Sequence, residues 1–337
     1  MAHRFKIGIS GAGTIGEIHA GALAGIENAA LVAVAEPRED AGKAFVEKYG
    51  GTHYASYPEM LANADIDVVI VATPSGLHPD QVVLAARHRK HVITEKPMAI
   101  TQDGLDRMIK ETDHAGVQLA VIFQNRLSGD MVRVKRALEQ GVFGKPILAN
   151  YTMYWHRNQD YYDANGGWRG TWALDGGGAL MNQAIHLVDQ LQWIMGGVQE
   201  LKAFTSTLNH TIETEDTAAV SFVYNNGALG TITATTCANK DYPFRLEIIG
   251  TEGRVTLEQN AITLWEADTS PEAVELTDDD HRLVDEWVPN EQWGLAHRRQ
   301  LHLILDCIEE GRQPYVAGQE ARMAVDIILG IYRNANG

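Results

Sequence analysis

Cysteine is nearly absent from this 337-residue chain, and the two present, Cys237 and Cys307, lie far apart. A disulfide framework is excluded, and neither cysteine has the paired spacing of a zinc site, so no metal is expected. No run of apolar residues approaches the ~20 needed to span a bilayer. The first residues carry no apolar leader or twin-arginine signal and pass directly into the strand-like Phe5-Lys6-Ile7-Gly8-Ile9, so the cytoplasm is the expected compartment. Positive charge is scarce as well: 28 Lys and Arg stand against 44 Asp and Glu, a net charge of −16. Such a balance repels nucleic acid and anionic membrane surfaces and leaves small molecules and other protein chains as partners.

What is present is a regular alternation of strands and helices. Strand patterns at 6–10, 31–35, 67–72, 91–94 and 118–123 are separated by helical spacing at 18–24, 39–49, 79–88 and 101–115. The run Asp67-Val68-Val69-Ile70-Val71-Ala72 has the unbroken apolarity of a parallel strand covered on both faces. This alternation predicts an α/β fold, a Rossmann-type doubly wound parallel sheet, over residues 1–125. Beyond a helix at 130–140, β patterns dominate at 147–154, 201–207, 218–223, 228–235, 245–249 and 254–257, with a hairpin signal at Asn225-Asn226-Gly227. Helices are expected at 179–195, 293–309 and 319–334. Residues 126–337 therefore read as a second, α+β domain on a large, mostly antiparallel sheet.

Gly11-Ala12-Gly13-Thr14-Ile15-Gly16 fits G-x-G-x-x-G between a strand and a helix, and Glu36 closes the next strand 20 residues after Gly16, the expected offset of about 20 for dinucleotide binding. The first glycine makes the tight turn, the second admits the pyrophosphate, and the third lets helix and strand pack. The helix N-terminus offers N–H groups to the phosphates. A carboxylate at Glu36 accepts from ribose hydroxyls and repels a 2′-phosphate, so NAD is expected rather than NADP; Arg38 beside it pulls the other way.

Two loops at C-terminal strand ends carry further candidates: Thr73-Pro74-Ser75-Gly76-Leu77-His78 and Glu95-Lys96-Pro97. With these, the chain resembles the Gfo/Idh/MocA family, the group of glucose–fructose oxidoreductase and inositol dehydrogenase, over essentially its whole length. The resemblance rests on Glu95-Lys96-Pro97, on Gly176 to Asp189, on Glu247 to Gly253, and on the ending from Gly311 through Tyr332. It implies a hydride transfer between NAD and a ring carbinol of a sugar, sugar derivative or cyclic polyol. Other relatives use held NAD for redox-elimination glycoside cleavage or act as non-catalytic regulators. Lys96 would polarise the reacting oxygen. His186 has the near-neutral pKa suited to moving the proton, and Asn182, four residues earlier, would share its helix face with Asp189 adjacent. Many members have Asp where Asn182 stands; asparagine takes no proton at neutral pH, so it would bind a substrate hydroxyl and shift the base role toward His186 or Lys96. Thr73, Pro74, His78, Glu95, Lys96 and Gln124 would line the cofactor site, with His78 equally readable as a capping or exposed residue.

Residues 151–172 hold seven of the chain's 25 aromatics, a density that suits packing on sugar C–H faces. Trp168 and Arg169 are expected at the substrate, with His156 nearby and Tyr151 and Tyr154 structural. The alternation at Ala218 to Val223 leaves one sheet face needing a cover, which implies a homodimer or homotetramer through the C-terminal sheet.

Overall fold

The structure, a computed structural model, describes residues 4–285 and 294–335. Its chain groups into two compact units, one of residues 1–124 with 290–322 and one of residues 125–289 with 323–337.

The first unit alternates β1 (Phe5–Ser10), α1 (Thr14–Leu23), β2 (Ala29–Ala35), α2 (Glu39–Tyr49), β3 (Thr52–Tyr54), α3 (Tyr57–Asn63), β4 (Val68–Val71), α4 (His78–Arg87), β5 (His91–Thr94), α5 (Gln102–Ala115) and β6 (Leu119–Val121). The strands lie parallel in the order β3-β2-β1-β4-β5-β6, the doubly wound arrangement that places ligands beyond the carboxyl ends of the strands. Each residue of β4 is fully buried, which is why that strand reads as a continuous apolar run. The short β3 and α3 carry too few residues to show a period and are not visible in the sequence pattern.

The second unit holds α6 (Gly129–Glu139), β7 (Pro146–Tyr154), α7 (Gln159–Gly167), α8 (Ile185–Met195), β8 (Val198–Ser206), β9 (Thr217–Tyr224), β10 (Leu229–Thr235), β11 (Arg245–Gly250), β12 (Arg254–Glu258), β13 (Ala261–Glu266) and α9 (Asp278–Asp285). Its seven-stranded sheet runs β13-β12-β11-β7-β10-β9-β8, antiparallel throughout except for the parallel pair β7–β10. The Asn225-Asn226-Gly227 turn joins β9 to β10, with Gly227 at φ +84°. The alternation in β9 turns Ala218, Val220 and Phe222 inward and Ala219 and Ser221 outward.

The division at residue 125 requires one correction. The segment 290–322, which contains α10 (Leu295–Glu309) and the start of α11 (Gly318–Ala335), belongs with the first unit. Leu301, Ile304 and Leu305 of α10 share a core with Ile7, Ile9 and Ile70. Gln300 Nε2 donates to the Val121 carbonyl at 2.9 Å, and Val121 N donates to Val316 O. Order along the chain and order of packing differ here. Trp293, the expected start of this helix, lies outside the described residues.

Within the second unit, Arg126 and Asp189 form a fully buried bidentate pair at 2.7 and 2.6 Å. Asp189 is therefore anchored on Arg126. Breaking a buried pair strands a charge in low dielectric. Asp189→Leu is expected to lower stability by about 3–5 kcal/mol in urea unfolding, and Arg126→Met combined with Asp189→Leu is expected to recover most of that loss. An unchanged midpoint in the single variant would show that the pair carries no such weight.

Candidate active site

The glycine turn shows which of its glycines the fold itself demands. Gly11 sits at φ +100°, and a Cβ there would lie 2.7 Å from the Ala72 carbonyl oxygen. A Cβ on Gly16 would lie 2.1 Å from the Gly11 carbonyl oxygen. Gly13 has nothing within 4 Å of its hypothetical Cβ and an ordinary backbone, φ −80°. Protein packing does not explain glycine at 13; close approach of a ligand does. Gly13 also caps α1 and, as glycine, offers no side chain to the first N–H groups of the helix. The N–H groups around Thr14 and Ile15 thus lie where a diphosphate would be held.

Glu36, buried at the end of β2, fixes this turn. One carboxylate oxygen accepts the Ala12 N–H at 3.0 Å; the other accepts Arg38 N at 3.1 Å and Arg38 Nε at 2.7 Å. Burial pushes its pKa up, but Arg38 and the two backbone donors outweigh that and hold it below the ordinary carboxylate value. Arg38 is directed onto Glu36, so its charge is drawn away from a 2′-phosphate. The residues fit NAD.

Behind Lys96 lies a cluster that sequence reading missed. Glu95 is buried at the end of β5. Its Oε1 lies 2.7 Å from His19 Nε2 on α1 and 4.0 Å from His297 Nε2 on α10, and its Oε2 accepts the backbone N–H of Lys96 at 3.1 Å. The two imidazoles meet edge to face, 5.5 Å between centroids. Glu95 only accepts, so His19 Nε2 is the donor, and its Nδ1 has no hydrogen-bond partner among the described residues. Burial works against the Glu95 charge, but His19 and the neighbouring cations prevail and its pKa falls to about 2. The His297 pKa falls as well, but here desolvation is the cause and favours the neutral ring: it goes from 6.5 to about 4. The only hint in the sequence was three titratable residues on apolar faces of elements far apart in the chain.

His78 is fully buried at the start of α4, which removes the exposed alternative. Its Nε2 lies 2.9 Å from the Thr73 carbonyl and its Nδ1 2.9 Å from the Pro97 carbonyl, so one ring clamps the two loops after β4 and β5. Both neighbours only accept, and the neutral ring serves one at a time; burial still pushes its pKa down. Thr73 also donates its hydroxyl to Gln81 at 3.2 Å. Pro74 caps the short turn at Ser75–Leu77. Gln124 Oε1 is buried without a partner among the described residues.

In the second unit, Asn182 and His186 sit on one helical run, but its first part, Ala179–Ala184, is π-helical. π turns recur at functional sites. Tertiary contacts impose this one. Glu215 accepts Gly178 N at 3.1 Å and Leu180 N at 2.8 Å, and Tyr332 donates to it at 3.0 Å. A Cβ on Gly178 would strike the Glu215 carbonyl at 1.8 Å, and one on Gly177 the Tyr332 hydroxyl at 2.1 Å, so the glycine run is needed for this close approach. Burial drives the Glu215 carboxyl up to about 7.

The Asn182 amide donates to Asp175 Oδ1 at 2.7 Å, and Asp175 Oδ2 accepts Gly170 N at 2.8 Å. Asp175, not singled out from sequence, thus supplies a buried carboxylate at the asparagine. Arg169 stacks on Trp168 and Tyr161, with its guanidinium 4.9 and 4.6 Å from their centroids. His156 Nδ1 pairs with the Ala238 carbonyl at 2.8 Å, and its backbone N–H donates to Asp241 at 2.8 Å. His210, Asp216 and Cys237 converge within 4.8 Å, but the Asp216 oxygens already accept the N–H groups of Leu208, Asn209 and His210. That cluster is a loop clamp.

Comparison with known proteins agrees with both units. Residues 5–123 match an oxidoreductase family with an NAD-binding Rossmann fold, and residues 131–256 match the GFO/IDH/MocA C-terminal domain. The chain is 30% identical to the myo-inositol 2-dehydrogenase of Thermotoga maritima, over 96% of this chain and 94% of that one. It is 24% identical to the NAD+-dependent scyllo-inositol 2-dehydrogenase of Bacillus subtilis, over 97% and 93%. Among solved structures, the WlbA dehydrogenase of Bordetella pertussis, in complex with NADH and UDP-GlcNAcA, superposes with a TM-score of 0.90 at 33% identity, covering 100% of this chain and 96% of that one.

The buried histidine gives a pH test. His297 has its folded pKa below its unfolded one, so the unfolded chain binds more protons between about 4 and 6.5 and stability falls as pH drops through that window. At ~1.4 kcal/mol per unit the loss is roughly 3 kcal/mol. Glu215, raised to about 7, has the opposite slope: stability falls as pH rises from 4.5 toward 7. Over the shared window the two slopes oppose each other, so urea unfolding of His297→Phe should lose the His297 contribution and show the Glu215 decline with rising pH more steeply than the wild type. Parallel pH curves for the two proteins would contradict the burial of a neutral His297.

Proposed function

Because the chain belongs to the GFO/IDH/MocA oxidoreductase family, whose first half is an NAD-binding Rossmann domain, we propose that it moves a hydride between NAD and a ring carbinol carbon of a sugar, sugar derivative or cyclic polyol. One observation carries the reading. In a single unit, Glu95 joins the dinucleotide helix α1, through His19, to the backbone of Lys96 at the C-terminal end of β5. Gly11, Gly13, Thr14, Ile15, Gly16 and Glu36 would hold the diphosphate and adenosine ribose, with Thr73, Pro74, His78, Gln124 and Glu95 lining the rest of the cofactor site. NAD, when bound, supplies the hydride acceptor.

The chain's own residues do the remaining work. Lys96 presents an ammonium to the substrate oxygen and stabilises negative charge as the O–H proton leaves. His186 takes that proton in oxidation and returns it in reduction. Asn182, oriented by Asp175, offers its amide to a neighbouring hydroxyl, and Arg169 and Trp168 position the ring. The dehydrogenases of inositols and the UDP-GlcNAcA complex among the relatives support a ring alcohol as the reacting group. The outer face of the second sheet exposes Phe204 and Leu229 and is proposed as the surface through which copies associate as a homodimer or homotetramer. Among the described residues no helix is long and apolar enough to cross a membrane.

NADH formation at 340 nm with a panel of inositols, aldoses, uronates and glycosides, repeated with NADP, tests the reading. Turnover is expected with NAD for one compound class. Lys96→Ala should lose about 10²–10³-fold in kcat, the typical cost of removing one group that stabilises developing charge, while its affinity for NADH stays within a few fold. A silent panel with NAD bound, or full turnover by Lys96→Ala, would sink the assignment.

A further inference from the structure

In the second unit two guanidiniums are stacked on the same tyrosine. Arg169 lies 4.6 Å from the Tyr161 ring centroid and 4.9 Å from that of Trp168; Arg157 lies 5.4 Å from the Tyr161 centroid and 5.2 Å from that of Trp155. Trp155, Arg157, Tyr161, Arg169 and Trp168 thus form a ladder in which rings and cations alternate. In a chain with 16 more acidic than basic side chains, cations have abundant carboxylate partners. Arg169 makes no ion pair among the described residues, and its one hydrogen bond is a long 3.5 Å contact to the Tyr161 carbonyl. Arg157 donates from one terminal nitrogen to the His156 carbonyl at 2.6 Å and to the exposed carboxylate of Asp241 at 3.3 Å, which leaves its other N–H groups.

Stacking occupies the faces of a guanidinium and leaves its in-plane N–H fork for an oxyanion, a geometry that suits carboxylate or phosphate and not a lone hydroxyl. Two cations beside one ring also repel each other, and an anion between them removes that cost.

The ladder is bonded twice to the turn that carries Asn182. Gln183 Nε2 donates to the Tyr161 hydroxyl at 3.0 Å. Gly170, next to Arg169, donates to Asp175, which also holds the Asn182 amide. Gln183 is itself buried, and its Oε1 has no partner among the described residues. The geometry points to a substrate that carries an oxyanion, carboxylate or phosphate, which Arg169 and Arg157 hold while its ring lies at Asn182. The substrate class is then an acidic sugar, a uronate or a phosphorylated sugar, and not a neutral polyol. This rests on Asn182 and His186 forming the substrate end of the proposed dehydrogenase site.

Binding separates the two claims, because it needs no turnover. Trp155 and Trp168 flank the cations, so tryptophan fluorescence reports occupancy. The protein with NADH is titrated with glucuronate, glucose 6-phosphate, inorganic phosphate, glucose and myo-inositol, at low and high salt. At least one charged sugar should bind about tenfold or more tighter than glucose, the scale of one charge-assisted hydrogen bond, and should weaken as salt rises. Glucuronate ahead of glucose 6-phosphate identifies a carboxylate site; the reverse order, with phosphate competing, identifies a phosphate site. Arg169→Met should abolish the preference for the charged sugar, Arg157→Met should reduce it, and Arg169→Lys, which keeps the charge and loses the fork, should fall between. Equal affinity for glucose and both charged sugars would overturn the inference. So would a preference that survives in a folded Arg169→Met, checked by circular dichroism. Tight, arginine-dependent binding without NADH formation from any sugar would keep the anion site and remove the dehydrogenase reading instead.

Discussion

The buried carboxylate of Glu95 is the constraint on which the first unit's chemistry depends. Ionised in a nearly dry place, it is stable only while donors surround it. Those donors come from α1, through His19, and from the backbone of Lys96. One charge therefore sets the helix that begins at the dinucleotide turn and the residue proposed to touch the reacting oxygen. His297, from a segment about two hundred residues further along the chain, closes the cluster with a ring that burial keeps neutral.

The second unit repeats this logic with different groups. Glu215 and Tyr332 press on Gly177 and Gly178 and cap the π-helical turn; Asp175 fixes Asn182 and the Arg169 loop; Arg126 and Asp189 secure the helix one turn beyond His186. Glu215 and Asp175 each accept donors from two segments, and Asp189 accepts both of its shown bonds from Arg126. The side chains proposed for chemistry are thus oriented from behind by groups that need not touch substrate. A chain so acidic overall uses its buried carboxylates as fixed anchors, and among the described residues Arg169 has none.

How much of this is legible in the sequence depends on the range of the interactions. The parallel sheet is legible because β4 is apolar throughout and because G-x-G-x-x-G, its flanking strand and Glu36 fall within one local span. The antiparallel sheet is legible from period-two strands and the Asn-Asn-Gly turn. The short β3, α3 and β13 are not, since three to seven residues hold too little pattern. The Glu95 cluster joins positions 19, 95 and 297, and Asp189 finds Arg126 63 residues away; no local spacing encodes such pairs. A π turn likewise looks like ordinary helix until the contact that imposes it is known. The placement of α10 is not legible for the same reason: its amphipathic face says that it packs, not on what.

The most direct measurement is of Glu95→Gln, in which an amide replaces the carboxylate at nearly constant shape. An amide has one accepting oxygen, so its NH2 must face either His19 or the Lys96 N–H, both donors. NADH affinity by fluorescence and kcat by absorbance would be read on the same folded protein. If Glu95 positions Lys96, kcat falls by about a hundredfold or more while NADH affinity changes only a few fold. Wild-type kcat in the folded variant would contradict that, and Glu95 would be a packing residue without influence on the chemistry.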